Sequence, residues 1–482
     1  MKMMLNISRK QKLDPTRSAL VKNSIWGVVA NILQILFVFL FFAIVARRYS
    51  AEIFAQFLIS TTVYQLVAAF SSMGLGQWFI RQYVLEKDTV GFTAKFIKTQ
   101  FGLGVAFYLI NIIIAYILYP NPQIRLLCIL LGTNIIFDNF INAIKSLNIV
   151  QNEQRKTAVI LVIDGFLRLL VGCVLFITPF PITVLALATI LIRLFTLGLF
   201  IKLGSTNSLS LRSLWNAAVS YADLKDLIAR NWQFIVIGSI SIIYWKIGNI
   251  IISKMLTLTD VADYEVAFRI FSVLQIMPVI ASTTIYPQFI KYYNDGDTDK
   301  LRQLYKNIFI GYTLFALLTY VFMYAFAGLI IPLAFGNGYP GAIACLQEMF
   351  LTFLVLPTVL LQANLLVAIG QEKLDMWFNI ASLVINVAGC FAGLYFYKEL
   401  AMVNYSVFAS FLIFHVLQDV SLIQRKFMTV GHCVAFYTAM IGTVLLCMRS
   451  APYINSFVLF AGALVFAGGA AAFFFLRKPL TT

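Results

Sequence analysis

The sequence predicts an all-α polytopic membrane protein of about fourteen transmembrane helices, built as two six-helix lobes related by pseudo-two-fold symmetry plus two extra C-terminal helices. Three observations predict it. Of the 482 residues 61% are apolar and only 12% charged, and the mean hydropathy is +0.88, well outside the range of soluble domains. Apolar runs of about 20 residues, enough to cross a hydrocarbon core of roughly 30 Å, recur along nearly the whole chain. Finally, the first half of the chain is echoed in the second at an offset of 207 residues.

Taken in order, residues 1–20 form a cytosolic tail, and an N-lobe at 21–203 holds spans at 21–46, 53–80, 97–119, 126–150, 157–178 and 181–203. The first span is too long for a signal-peptide core, and no small-residue cleavage site follows it, so it reads as a retained anchor. A linker at 204–230 begins polar and then places Leu211, Trp215, Ala218 and Tyr221 at helical spacing, which suits an amphipathic helix lying on the inner leaflet. The C-lobe at 231–425 holds spans at 231–254, 263–290, 307–335, 342–369, 374–397 and 400–423. Helices at 432–449 and 455–476 fill the remainder, 426–482, and Ala463, Ala467 and Gly468 permit close helix packing there. The tail, 81–96, 204–230 and 291–306 read as the long connections; the others are short.

The formal charge of +16 reports topology. With the N-terminus in the cytosol, inner segments hold 25 of the 36 Lys and Arg residues and the spans five. The outer loops hold only Arg47, Arg48, Arg125, Lys254, Lys398 and Arg449. This is the positive-inside asymmetry, and it places both termini in the cytosol. Trp26, Trp78, Trp232 and Trp377 fall near inner helix ends, as an interfacial belt would. The basic charge therefore points to anionic lipid and not to nucleic acid.

The repeat sets Phe57 opposite Tyr264, each near the start of a long helix after an outer loop. Those helices run out as WFIRQYV (78–84) and YPQFIKYY (286–293), while the fourth and tenth spans run out into QNEQRK (151–156) and GQEK (370–373). Six helices repeat as six, and an even number keeps both halves in the same orientation, so the repeat is parallel with its axis along the membrane normal.

Several activities lack their residues. The six Cys are scattered without a CxxC pair, and only His415 and His432 are present, so neither a disulfide framework nor a metal centre is indicated. A GxxxxGK[ST] phosphate loop is absent, so nucleotide hydrolysis is not expected, and no cofactor is implied. No outer loop is long enough to carry a polymerase or glycosyltransferase site.

The run from Tyr244 to Tyr293 resembles the second-half signature of polysaccharide flippases of the multidrug/oligosaccharidyl-lipid/polysaccharide exporter superfamily, with Tyr264, Ala267, Arg269 and Pro287 in the places of that pattern. The opening SIWGVVANILQILFVFLFFAIVARRYSAEIFAQF, residues 24–57, is similar to the family's start, and the resemblance spans residues 18–425. It is closest to O-antigen and capsule (Wzx-type) flippases. One departure is that the usual acidic position of the seventh helix is Asn249, with Lys246 one turn before it.

The resemblance implies a bacterial inner-membrane flippase in which two lobes invert around a central cavity walled by the first, second, seventh and eighth helices. Its cargo would be an undecaprenyl-diphosphate-linked oligosaccharide, an O-antigen or capsular repeat unit. Implied partners are that lipid, the surrounding membrane lipids, a polysaccharide polymerase and a chain-length regulator. The alternatives are a multidrug/cation antiporter of the same superfamily, a lipid II flippase and, further off, a membrane polysaccharide polymerase.

Ten ionisable residues lie inside the spans: Asp138, Lys145, Asp164, Arg168, Arg193, Lys246, Glu265, Arg269, Glu348 and Asp419. An isolated charge at mid-bilayer costs roughly 2.5–3.5 kcal/mol, so these must pair or face water. Asp164 and Arg168, like Glu265 and Arg269, are acid-first pairs at i and i+4, able to neutralise each other locally. Asn134, Asp138, Asn142 and Lys145 make a polar stripe on the fourth helix. Comparable faces are Gly27, Asn31 and Gln34 on the first, Thr61 and Gln65 on the second, and Lys246, Asn249 and Ser253 on the seventh. A diphosphate needs fixed cations, so Lys246, Arg269 and Arg193 are the cargo candidates. Arg193, with no acid on its own helix, reads equally as a buried tie to another helix. Asp138, Glu265 and Glu348, with Asn249 and Asn31, are the cavity-lining and ion-coupling candidates.

Overall fold

The computed structural model describes residues 15–204, 239–240, 242–450 and 453–476, with side chains from residue 29 to residue 472 within them. Among the described residues every regular element is an α-helix, and twelve helices are long and apolar enough to cross a membrane. The seventh expected span is described over 242–255, and the fourteenth is Ser456–Leu476. The amphipathic linker from residue 205 and Trp232 lie outside the described residues, and of Trp26 and Gly27 only the helical backbone is described.

Local chemistry sets the helix starts. Ser50 accepts the Ile53 N–H ahead of Ala51–Ser71, and Asn121 accepts from Gln123 and Ile124 with Pro122 at the first helical position. Thr257 and Asp260 close a reciprocal capping box on the 37-residue helix Leu258–Asn294.

The long loops expected at 81–96 and 291–306 are instead tight turns between extended helices. The second span ends at Tyr83 and the third begins at Thr89; the eighth runs to Asn294 and the ninth begins at Thr298. Charged residues end an apolar window without ending a helix, and here Asp88 and Asp297 cap the next helix by accepting the N–H of Gly91 and of Lys300.

The internal repeat is visible in the backbone. The fourth span breaks at Thr133, between Pro122–Gly132 and Asn134–Val150, and the tenth breaks at Leu354 and Val355, between Gly341–Phe353 and Leu356–Ala368. Both then end in the same left-handed closure. Asn152 (φ 57°) and Gly370 (φ 74°) occupy the turn, and the next N–H returns five residues, Glu153 to Asn148 O at 2.7 Å and Gln371 to Leu366 O at 2.8 Å.

One buried core runs through both lobes, with Phe54 against Tyr339 and Phe39 against Phe335 joining them. A smaller cluster at the inner end of the N-lobe stacks Phe79 on Phe92 and Phe96 and holds Trp78 partly buried.

Candidate functional site

The capping box fixes the register of the eighth helix, and that register points Glu265 and Arg269 along one face. Opposite them, Lys246 and Asn249 lie one turn apart on the seventh helix. Glu265 is 1% exposed and receives both. Its Oε1 accepts from Lys246 Nζ at 3.0 Å and from Asn249 Nδ2. Arg269 reaches the other oxygen, Oε2, at 3.1 Å. The N-lobe completes the surroundings: Asn249 Nδ2 also donates to Thr62 Oγ1 at 3.1 Å, and the Arg269 guanidinium lies 3.7 Å from the centre of the Phe42 ring. Lys246 Nζ sits 4.7 Å above Phe268. The cluster therefore lies between the lobes.

Lys246 shares a carboxylate with Arg269, and the pairing runs between helices as well as along one. Two cations against one acid leave an excess positive charge at the interface. Arg269 Nε, Glu265 Oε2 and Asn249 Oδ1 are all buried without a hydrogen-bond partner, so the cluster holds unused donors and acceptors. Asn249, at the position of the seventh helix where the resemblance expects an acid, donates to Glu265 of the eighth.

The N-lobe charges form a second network. Arg168 donates to Asp164 at 2.8 Å along the fifth helix, and Thr196 donates to the same carboxylate at 2.8 Å. Arg193 donates to Asp138 of the fourth helix and reaches Asp164 at 3.4 Å. It thus ties three helices together. Lys145 is half-buried nearby and makes no bond among the described residues. The stripe on the fourth helix is divided: Asn134 is buried, Asn142 exposed, and the unanticipated Asn139 carries the bonding, to Ser71 O and Gln100 O.

The remaining candidates stand apart from the Glu265 cluster. Glu348 accepts from Asn404 of the twelfth helix at 3.0 Å, and Asn31 is exposed on the first helix. Thr61 bonds back to Phe57 O on its own helix, so Thr62 makes the interlobe contact of the second helix. Asp419 belongs to a third network, accepting from Gln362 at 2.6 Å and Tyr437 at 2.7 Å, with His415 Nδ1 at 3.1 Å. The i, i+4 spacing of His415 and Asp419 is the one signal in the sequence that could have found that network. Nothing in the sequence singled out Thr62 or Phe42.

Bonds between the lobes gather at the end of the molecule that holds Arg47 and Lys254. Arg47 donates to the last carbonyls of the ninth helix, Leu333 O and, at 3.0 Å, Ala334 O, while Tyr339 donates to Ala46 O at 2.7 Å. Lys254 donates to Leu118 O at the end of the third helix, and Tyr119 and Ser253 bond at 2.9 Å. Within the N-lobe Arg48 donates to Leu175 O and Phe176 O, and Arg125 to Tyr119 O and Pro120 O. Four of the six outer cations thus cover the unsatisfied carbonyls and negative dipole ends of neighbouring helices.

Two helical lobes with charged groups enclosed between them define a polytopic membrane protein. The chain belongs to the family described as Polysaccharide biosynthesis protein, whose sequence profile matches residues 19–344. Its fold is that of the superfamily abbreviated MOP. It is similar to the lipid II flippase MurJ in an inward closed conformation, at 12% identity, covering 95% of this chain and 100% of that one with a TM-score of 0.74. An inward-facing multidrug resistance MATE family transporter is also similar, at 14% identity, 82% and 96% coverage and a TM-score of 0.70. So is a MOP superfamily transporter from Pyrococcus furiosus described as having a binding pocket of reverse polarity, at 15% identity, 84% and 95% coverage and a TM-score of 0.58. No curated protein sequence matches the chain.

Proposed function

We propose that the protein flips an undecaprenyl-diphosphate-linked oligosaccharide, an O-antigen or capsular repeat unit, across the bacterial inner membrane by alternating access, with both termini in the cytosol. The observation that carries this reading is the excess cation at the lobe interface, where Lys246 and Arg269 share Glu265. A lipid diphosphate brings about two negative charges into a low-dielectric space, and guanidinium and ammonium groups are the side chains that receive phosphate oxygens. A cationic drug would instead favour an acid-lined cavity, which makes the multidrug antiporter the weaker reading.

The interlobe bonds support a cycle. With Arg47, Tyr339, Lys254 and Tyr119 joining the lobes, the outer end is shut, and cargo enters from the inner leaflet. Arg269 and Lys246 take the diphosphate, Glu265 exchanges partners, and the outer bonds part to release it. Arg193, with Asp138 and Asp164, supports the N-lobe as it moves, and Glu348 and Asp138 are the further carboxylates on which coupling to an ion gradient would act.

Deletion of the gene, with lipid-linked oligosaccharides profiled on each leaflet, tests the reading. Undecaprenyl-diphosphate oligosaccharide accumulates on the inner leaflet and clears on complementation. An unaltered leaflet distribution would remove the cargo assignment.

A further inference from the structure

On the C-lobe, at the basic end of the molecule, the start of the ninth helix and the connection between the twelfth and thirteenth helices enclose a cavity of about 370 Å³. Its floor is apolar, with Tyr305 and Met428 buried. Arg302, Lys306 and Lys426 line it, beside His432, against a single carboxylate, Asp299. These cations are poorly neutralised. Asp299 stands 3.6 Å from Arg302 with its side chain 92% exposed, and the Arg302 Nε is buried without an acceptor. Lys306 and Lys426 make no side-chain bond among the described residues.

The backbone supplies an independent observation. Lys426 closes the twelfth helix in the left-handed region (φ 61°), its N–H reaching Ile423 O at 2.9 Å and that of Phe427 reaching Leu422 O at 3.0 Å. Glycine is the usual residue at this closure because a Cβ there is strained. A lysine tolerated at that point holds a charge at the cavity mouth. Beside it the thirteenth helix leaves Val430 62% and Val434 58% exposed, an apolar track leading away from the cations toward the bilayer.

We propose that this cavity is a headgroup site for an anionic phospholipid of the inner leaflet, the phosphodiester held by Arg302, Lys306 and Lys426 and an acyl chain running along Val430 and Val434. Basic pockets between transmembrane helices at the cytosolic surface receive such headgroups. The bound lipid seats the appended thirteenth helix against the ninth. The site is separate from the Glu265 cluster and does not depend on what the transporter carries.

Native mass spectrometry of the full-length protein, titrated with phosphatidylglycerol or with phosphatidylcholine, provides the test. The wild type retains phosphatidylglycerol in preference to phosphatidylcholine, and each cation removed weakens retention about fivefold. Lys426→Gly alone shows that loss while relieving the strained backbone, so its folding is protected. The triple variant Arg302→Ala, Lys306→Ala, Lys426→Gly loses on the order of a hundredfold. Equal retention of the two lipids, or wild-type retention by the triple variant, would overturn the proposal. Displacement of the lipid by equimolar inorganic phosphate would also overturn it, by assigning the cavity to a free anion.

Discussion

Arg269 stands 3.1 Å from Glu265, one turn away on the same helix, yet neither the Arg269 Nε nor the Glu265 Oε2 has a hydrogen-bond partner. Charge holds the pair together, without directed bonds. Lys246 and Asn249, by contrast, both bond the opposite carboxylate oxygen. In the proposed cycle a diphosphate takes Arg269 while Lys246 keeps Glu265 neutralised.

Replacing Arg269 should affect transport more than folding. A hydrogen bond to a charged group contributes about 1.5–3 kcal/mol, so Arg269→Ala should reduce surface glycan about 10- to 100-fold with the protein still inserted. Arg269→Lys keeps the charge but not the planar fork and should fall between the two. Glycan quantified against membrane protein level checks this; unchanged glycan in Arg269→Ala, Lys246→Ala and the double variant would remove the cluster from the transport path.

Glu265→Gln separates neutralisation from cargo exchange. Without the carboxylate both cations are left unopposed, so binding of a lipid diphosphate should tighten while turnover falls. Binding and flipping measured on the same preparation decide it. If binding weakens alongside turnover, Glu265 contacts the cargo in some other role.

The N-lobe network should behave as structure. Asp164 is 2% exposed and bonds Arg168, Arg193 and Thr196, so Asp164→Ala leaves two cations without their shared partner. Breaking a buried pair in this way costs about 3–5 kcal/mol. A thermal melt in detergent should fall by several degrees, and an unchanged melting point would show that the network carries no load.

Arg47→Ala and Lys254→Ala remove the bonds that these two side chains make between the lobes, to Leu333 O and Ala334 O and to Leu118 O. Spin labels on exposed Ser50 and Asn337 should report a longer-distance population that grows in each variant and most in the double. No redistribution in the double variant would mean that these cations only cap helix ends.

Much of the fold was legible because lipid imposes length and apolarity on each span, and both can be counted along the chain. The parallel repeat was legible because corresponding helices run out alike, the fourth into QNEQRK and the tenth into GQEK, and in the structure both turns hold a left-handed residue, Asn152 and Gly370. The loops at 81–96 and 291–306 were misread because charge ends an apolar window while Asp88 and Asp297 carry the helices on. Within the site, spacing along one helix revealed Glu265 with Arg269 and Asp164 with Arg168. It could not show that Lys246 meets Glu265 or that Arg193 meets Asp138, because those partners come from different helices and only packing joins them. Thr62 and Phe42 carry no sequence signal at all, being ordinary residues that the lobe interface places against Asn249 and Arg269.

The most direct measurement is flipping of a purified undecaprenyl-diphosphate oligosaccharide in proteoliposomes, followed by the fraction accessible to an enzyme added outside. Wild-type protein should equilibrate the lipid between leaflets, and Arg269→Ala should slow that at least about tenfold. Equal rates in wild type, Arg269→Ala and protein-free vesicles would contradict the account.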